Sequence, residues 1–341
     1  MKIDAALTTF HLDEVPAAAR AIEAQGYDGL FTFEGKGDPF LPLVLAAEHT
    51  ERVELATAIA LAFPRSPMNL AYLGHDLQVQ SKGRFILGLG SQIKTHVEKR
   101  YSAVWSHPAA RMQELVLAVR AIWTCWNEGA RLDFRGRFYT HTLMTPIFEP
   151  GPSPYGPPRI FLAGVQPRMT EVAGEVADGL LVHPLNSRRF LEASLLPAIG
   201  RGLAKSGRAR ADFAVSCQVI VATGTTADEV AQSRQLARQQ LAFYGSTPAY
   251  RPVLEAHGWG ALQEELHALS KRGEWVAMGE RITDEMLDTF AISGLPEELP
   301  AKLHARYGGL VERLALISYA GVEGADRARW STVLQQIRKG A

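Results

Sequence analysis

Short β-rich apolar runs alternate with amphipathic stretches along almost the whole chain, and this alternation limits the fold more than any other feature. The strand-like runs are Ile3–Phe10, Gly29–Phe33, Val53–Leu61, Phe85–Leu89, Arg159–Ala163, Gly179–His183, Ala214–Val221 and Arg313–Ser318. Helical patterns lie between them at Asp13–Gln25, Phe40–Thr50, Pro67–Ser81, Ala109–Asn127, Pro167–Ala177, Ser187–Lys205 and Asp228–Phe243. Two more, Pro300–Leu310 and Ala325–Arg338, flank the last strand. Strands each followed by a helix predict an α/β fold, a closed (β/α)8 TIM barrel, since a doubly wound sheet more often has about five to seven strands.

The chain has 341 residues, against roughly 250 for a plain barrel of this kind. The excess is localised as insertions after strands 4 and 7. Residues 91–108 are polar and poorly periodic. Residues 130–158 predict a hairpin over Leu132–Met144, turning at Arg135–Gly136, and then a Pro/Gly-rich crossing from Pro146 to Pro158. Residues 245–295 predict a mostly helical insertion. No linker or repeat beyond the βα unit divides the sequence, so residues 1–341 are expected to form one barrel domain.

Charge removes several function classes. Lys and Arg number 36, as do Asp and Glu, so the basic footprint that a nucleic-acid backbone needs is absent. No apolar run approaches the roughly 18 residues of a membrane span, and the first residues read as a strand and not as a leader. A cytoplasmic protein with no membrane or nucleic-acid partner is expected. Cys125 and Cys217 lie in apolar surroundings far apart, and the ten histidines never take metal-ligand spacing, so no metal site is expected.

In a barrel the chemistry sits at the carboxyl ends of the strands. That rule selects Thr8, Thr9 and Phe10; Glu34 to Lys36; Ala58 to Ala62; Gly90, Ser91 and Gln92, with His96 beyond; Gly164, Val165 and Gln166; His183 and Pro184; Thr223; and Ser318 and Tyr319. Gly88-Leu89-Gly90 lacks the third glycine of a dinucleotide fingerprint, and no helix opens after it. The junction Gly164-Val165-Gln166-Pro167 is a better phosphate candidate. Its glycine lets a ligand approach the backbone, and a proline-started helix presents free amides with a positive dipole end behind them. Thr9, His183, Asn186 and Arg188 are polar groups on neighbouring strand ends that complete such a cradle; a plain βα turn is the alternative. Glu34 closes an apolar strand either as a proton carrier or ligand acceptor, or as the partner of Lys36 or Arg65. His96 is read either as a ring-edge or proton-shuttle group or as a solvated surface histidine.

Several segments together resemble the luciferase-like monooxygenase family of bacterial-luciferase-type barrels, in particular its branch using the deazaflavin coenzyme F420. They are Tyr27-Asp28-Gly29-Leu30-Phe31-Thr32-Phe33-Glu34, Asp38-Pro39-Phe40-Leu41-Pro42-Leu43, Leu55-Ala56-Thr57-Ala58-Ile59-Ala60 with Arg65-Ser66-Pro67, Ser81-Lys82-Gly83-Arg84-Phe85 running on to Ser91, and Gly174-Glu175-Val176-Ala177-Asp178-Gly179-Leu180-Leu181. The resemblance implies a flavin-type ring held at the carboxyl mouth, with hydride transfer at its central carbon. It implies a cis peptide at Ala58–Ile59 behind the ring and a phosphate site on Gly164, Val165 and the helix opened by Pro167, helped by His183. The cofactor-binding set is then Thr9, Ala58, Ile59, Ser91, Gly164, Val165, Gln166 and His183.

The resemblance also marks a departure. Sugar-phosphate and alcohol dehydrogenases of that branch carry a histidine after the second strand and a glutamate after the fourth, where this sequence reads Phe33-Glu34-Gly35-Lys36 and Ser91-Gln92-Ile93-Lys94. Glu34, Gln92 and His96 remain as the expected catalytic residues, and a reductase of an activated C=C or C=N bond is as consistent as a dehydrogenase. The function expected is an F420-dependent oxidoreductase acting on a small molecule. A reduced-FMN monooxygenase and a non-catalytic ligand-binding barrel are the alternatives. Leu115, Val116, Leu117, Ala118, Val119, Ile122, Trp123 and Trp126 give the long fourth helix more apolar surface than one stripe needs, which predicts a homodimer.

Overall fold

A computed structural model of the chain describes residues 1–9, 11–320 and 327–339. Phe10 and the first residues of the expected final helix, Ala325 among them, lie outside the described residues. The strands in chain order are β1 (Lys2–Ala6), β2 (Gly29–Thr32), β3 (Glu54–Thr57), β4 (Ala60–Leu61), β5 (Phe85–Gly90), β6 (Phe134–Arg135), β7 (Thr140–His141), β8 (Arg159–Ala163), β9 (Gly179–Val182), β10 (Ala214–Thr223), β11 (Ala291–Gly294) and β12 (Arg313–Ile317). All pairings in the main sheet are parallel, in the order β12-β1-β2-β3-β5-β8-β9, and β10 joins β9 to β12 to close the barrel. The (β/α)8 barrel read from the sequence is the fold.

Three details differ from the sequence reading. The expected third strand, Val53–Leu61, is broken into β3 and β4. The insertion at 245–295 is helical as expected, but it ends in β11, whose Ala291 pairs with Ile220 of β10. Ile220 pairs on its other side with Ile317, so β11 lies on the β9 edge and prolongs the rim where β9 stops. The hairpin is the two-rung ladder Phe134↔His141 and Arg135↔Thr140, with its turn at residues 136–139. The reason is Glu114, whose carboxylate accepts from the amides of Arg137, Phe138 and Tyr139 at 2.9, 2.6 and 2.7 Å and so holds the turn against the long helix.

That helix, Pro108–Glu128, also uses its apolar surplus within the chain. Leu115, Val116, Ala118, Val119, Ile122, Trp123 and Trp126 are all buried, and Leu117 alone of the group is exposed, at 41%. Trp123 Nε1 donates to Ala71 O at 3.0 Å, and the Trp126 ring packs 4.8 Å from Tyr72. The helix face therefore argues for intrachain packing and not for a partner.

Several of the motifs are braces at the amino-terminal end of the barrel. Asp28 and Asp178, each just before a strand glycine, accept the amide of the preceding barrel strand, Ile3 and Ile160, at 2.8 Å each. Each carboxylate also takes an arginine, Arg338 or Arg120. Arg84 donates to the carbonyls of Ala47, Thr50, Val53 and Ser81 at 2.8–3.0 Å, and so satisfies the carbonyls after the helix Leu41–Glu48.

Inside the barrel, Arg313 forks onto Asp4 through Nε (2.8 Å) and Nη2 (2.5 Å) and pairs with Glu54 through Nη1. Burial alone would raise the Glu54 carboxyl, but Arg313, Lys2 and Arg159 outweigh it and carry its pKa from 4.5 to about 2. Above this charged plug, Phe31, Ala56, Ile86, Phe161, Leu181 and Ala315 fill the interior, leaving a cavity of about 20 Å³. Removing the cation strands the buried carboxylate of Asp4 and leaves Glu54 to Lys2 and Arg159, so Arg313→Met is expected to cost about 3–5 kcal/mol in denaturant unfolding. Because the folded pKa of Glu54 is depressed, its contribution is present above pH 4.5 and is lost as the pH falls toward 2. The variant, which keeps Lys2 and Arg159 on Glu54, is expected to lose part of that acid sensitivity, and an unchanged acid profile would count against the plug.

Candidate active site at the carboxyl mouth

The floor of the mouth is built by a bulge between β3 and β5. Ala56 pairs with Ile86 and Ala60 with Leu89, so residues 57–59 face only residues 87 and 88. Thr57 spans the gap: its hydroxyl donates to Gly88 O at 2.7 Å and accepts from Gly88 N at 2.9 Å. A Cβ on Gly88 would lie 1.7 Å from the Thr57 carbonyl oxygen, and one on Gly90 would lie 2.4 Å from Ile59 Cδ1. Gly88 therefore needs to be glycine, and the Ile59 side chain occupies the space above Gly90. The Ala58–Ile59 peptide is cis, as the resemblance implied.

Glu34 clamps this bulge. Its amide donates to Ile59 O at 3.0 Å, and its carboxylate accepts from Leu61 N at 2.7 Å, Arg65 Nη1 at 2.6 Å and Tyr101 Oη at 2.8 Å. Arg65 reaches Asp38 as well, at 3.1 Å. Both carboxylate oxygens are thus engaged, and the Glu34 side chain is 6% exposed. Burial first, and then the bond to Glu34, push the Tyr101 phenol above its ordinary range. Tyr101 belongs to the polar insertion after β5, and nothing in the sequence pattern singled it out. His96, the residue chosen from that segment, is exposed on the short helix Lys94–Lys99. Gln92 is half-buried with φ +59°, and its Oε1 accepts from Ile93 N at 3.1 Å; Ser91 Oγ donates to Gln92 O at 3.2 Å.

The opposite side of the mouth, over β8, β9, β10 and β12, carries a cluster of neutral side chains. Gly164 is buried at the end of β8, followed by half-buried Val165 and exposed Gln166. The helix Pro167–Val176 begins with no side-chain cap, so the amides of Arg168 and Met169 have no partner within the helix. His183 Nδ1 accepts from Leu185 N at 3.1 Å, and burial lowers its pKa from 6.5 to about 3. The ring is therefore neutral with its proton on Nε2. It packs 4.1 Å from Tyr250 and 4.6 Å from Tyr244, and Tyr244 Oη lies 3.1 Å from Tyr319 Oη.

Three polar residues proposed for the cradle are occupied elsewhere. Thr9 Oγ1 donates to the Glu14 carboxylate and accepts from His11 N at 3.3 Å. Asn186 bridges His183 O and Gln218 O at 2.8 and 3.0 Å, and Arg188 pairs with Glu192. Tyr244 and Tyr250 escaped the sequence reading because nothing in the insertion's pattern says which strand end it folds over. Tyr319 was within reach of the strand-end rule.

This geometry makes Glu34 a structural clamp on the floor. Glu34→Gln puts an NH2 group where one of three donors now points, and is expected to lose about 2–3 kcal/mol in thermal unfolding. Tyr101→Phe removes one hydrogen bond and is expected to cost about 1 kcal/mol. Unchanged melting temperatures in both variants would show that the clamp carries no stability.

Residues 2–313 match the model of the family described as luciferase-like monooxygenase. The uncharacterized protein Rv1360 of Mycobacterium tuberculosis is 54% identical over 339 residues, covering 99% of this chain and 98% of that protein. The 5,10-methylenetetrahydromethanopterin reductase of Archaeoglobus fulgidus is 29% identical and covers 82% and 78%. Among solved structures, the coenzyme F420 dependent tetrahydromethanopterin reductase from Methanopyrus kandleri superposes with a TM-score of 0.79 at 19% identity, covering 99% and 98%. The bulged floor, the barrel around it and the match along the sequence agree: the chain belongs to the luciferase-like monooxygenase family.

Proposed function

We propose that this protein, a single barrel domain, is a cytoplasmic oxidoreductase that transfers a hydride between the deazaflavin coenzyme F420 and a small organic substrate. The observation that carries this reading is the meeting, at one barrel mouth, of the bulged floor at Ile59 with the uncapped helix Pro167–Val176. Relatives support it. A putative coenzyme F420-dependent oxidoreductase of M. tuberculosis is 28% identical over 80% of this chain, and the names of two structural neighbours with TM-scores of 0.79 and 0.72 include F420.

The residues present fit such a group. When bound, F420 supplies the carbon that carries the hydride. Ile59 and the Ala58 backbone form the floor on which a planar ring rests, kept in place by Glu34, Arg65 and Tyr101. Gly164, Val165 and the amides of Arg168 and Met169 would hold its phosphate, since the positive end of the helix dipole favours an anion. Gln92 and Ser91 border the ring on the β5 side. His183, neutral, offers an Nε2 proton without adding charge.

Fluorescence titration with F420 and with FMN tests the reading. Binding of F420 followed by hydride transfer is the expected result; binding of FMN alone supports the monooxygenase, and binding of neither supports a non-catalytic barrel. Gln166→Glu is the sharper test, because a carboxylate there suits the helix dipole yet repels phosphate. Unfolding stability should fall by no more than the single exposed bond from Gln166 Nε2 to Ala249 O contributes, about 1 kcal/mol, while the F420 Kd rises roughly tenfold, about 1.4 kcal/mol. An unchanged Kd would move the phosphate elsewhere.

A homodimer belongs to the same proposal and rests on the family resemblance. Leu143, Ile147 and Phe148, exposed at 76%, 85% and 65% on the crossing after the hairpin, supply apolar surface for it. Sedimentation at micromolar concentration should give twice the 37.3 kDa chain mass, and a single species at that mass would remove the dimer.

A further inference from the structure

His183, Tyr244, Tyr250 and Tyr319 come from three separate parts of the chain and form one wall. His183 follows β9, Tyr244 lies near the end of the helix Ala227–Gly245, Tyr250 ends the turn Pro248–Tyr250, and Tyr319 follows β12. Alternation along the strands places His183 in step with Leu181, and Tyr319 in step with Ala315, both of which face the barrel interior. Gln166 Nε2 donates to Ala249 O at 3.3 Å and ties the turn to the helix after β8. All four rings are half-buried, so part of each remains open.

The wall carries no charge. Among the described residues, none of the four makes an ion pair or a hydrogen bond to a charged group. Burial holds His183 neutral; burial, with Tyr244 beside it, pushes the Tyr250 phenol up to about 12, and the same two causes raise Tyr319 far above its ordinary range. These groups are therefore hydrogen-bond donors that stay protonated. Tyr244 and Tyr319 share one hydrogen bond between two hydroxyls, so one O–H of the pair is left to donate to a third group. The wall thus offers ring faces for stacking and a neutral donor for an acceptor oxygen.

We propose that this wall is the specificity-determining surface of the pocket and that it selects an uncharged, planar, conjugated carbonyl compound. The conjugated plane lies against Tyr250 and Tyr244, and the carbonyl oxygen accepts a hydrogen bond from the Tyr244–Tyr319 hydroxyl pair. The inference rests on the proposed hydride-transfer function for its purpose, but its recognition chemistry stands on the chain's own residues. Phosphorylated sugars are disfavoured at the wall because its four rings present no charge to them.

The test uses the full-length protein and 4-phenyl-3-buten-2-one, a planar conjugated ketone, with glucose 6-phosphate as the anionic competitor. Saturation-transfer NMR measures ketone binding without cofactor, and the absorbance of reduced F420 follows its turnover. Wild type should bind the ketone without displacement by glucose 6-phosphate when inorganic phosphate is present to fill the helix terminus after Gly164. Tyr250→Ala, which removes a stacking face, should raise the ketone Kd roughly tenfold. Tyr319→Phe, which keeps the ring and loses the hydroxyl, should raise it roughly fivefold, and the F420 Kd should stay within about twofold in both variants. Equal ketone affinity in wild type and both variants, displacement by glucose 6-phosphate, or no ketone binding by wild type would each overturn the inference. A wild type that binds the ketone but not F420 would overturn the proposed function and leave the recognition surface standing.

Discussion

The close approach of β3 to Gly88 and Gly90, where a side chain would clash, is the constraint from which the mouth follows. A barrel of eight parallel strands closes only if each strand keeps hydrogen-bonded register with its neighbours, and an extra residue in β3 would break that ladder. Two substitutions of side chain for backbone resolve the conflict. The Thr57 hydroxyl replaces a ladder rung by bonding both the amide and the carbonyl of Gly88, and the Ile59 side chain takes the volume that a residue at 90 would otherwise fill. The bulge thus costs little pairing, and it delivers an apolar side chain to the centre of the barrel mouth. Glu34 and Arg65 then fix the far end of the bulge from outside the barrel.

The mouth divides into two chemically different halves. Over β2 to β5, charged groups satisfy one another: Glu34, Arg65, Asp38 and Tyr101 form a closed set whose work is to hold backbone in place. Over β8 to β12, the groups are aromatic and neutral, and their polar atoms are less completely used. Closed hydrogen-bond sets are concentrated on the first side and unused donors on the second, the division expected if the proposed cofactor is fixed on one side and its substrate met on the other.

The barrel was legible because hydrophobic period and strand count are written locally, and the observed strands fall within the expected runs or a residue or two past their ends. The motifs were legible as positions and less so as roles. Asp28, Asp178 and Arg84 recur in segments that resemble a family of enzymes, yet each braces backbone at the end of the barrel away from the mouth. Glu34 was read as either a chemical or a structural carboxylate, and only its three donors distinguish the two. Tyr101, Tyr244 and Tyr250 were invisible for another reason: they sit in insertions, where no periodicity tells which strand end a side chain will meet. β11 was missed because four residues between helices give too short a signal, and its pairing partner lies about seventy residues earlier in the chain.

That short strand gives the insertion an architectural independence. It leaves the barrel at the end of β10 and returns to pair with the same strand, so the segment between Thr223 and Ala291 is closed on itself by the ladder Ile220↔Ala291 to Thr223↔Gly294. None of the eight strand pairings that seal the barrel passes through it. A change of length between the helix Ala227–Gly245 and Ala291 would therefore move the Tyr250 turn while leaving every pairing that closes the barrel, and the bulged floor across from it, untouched.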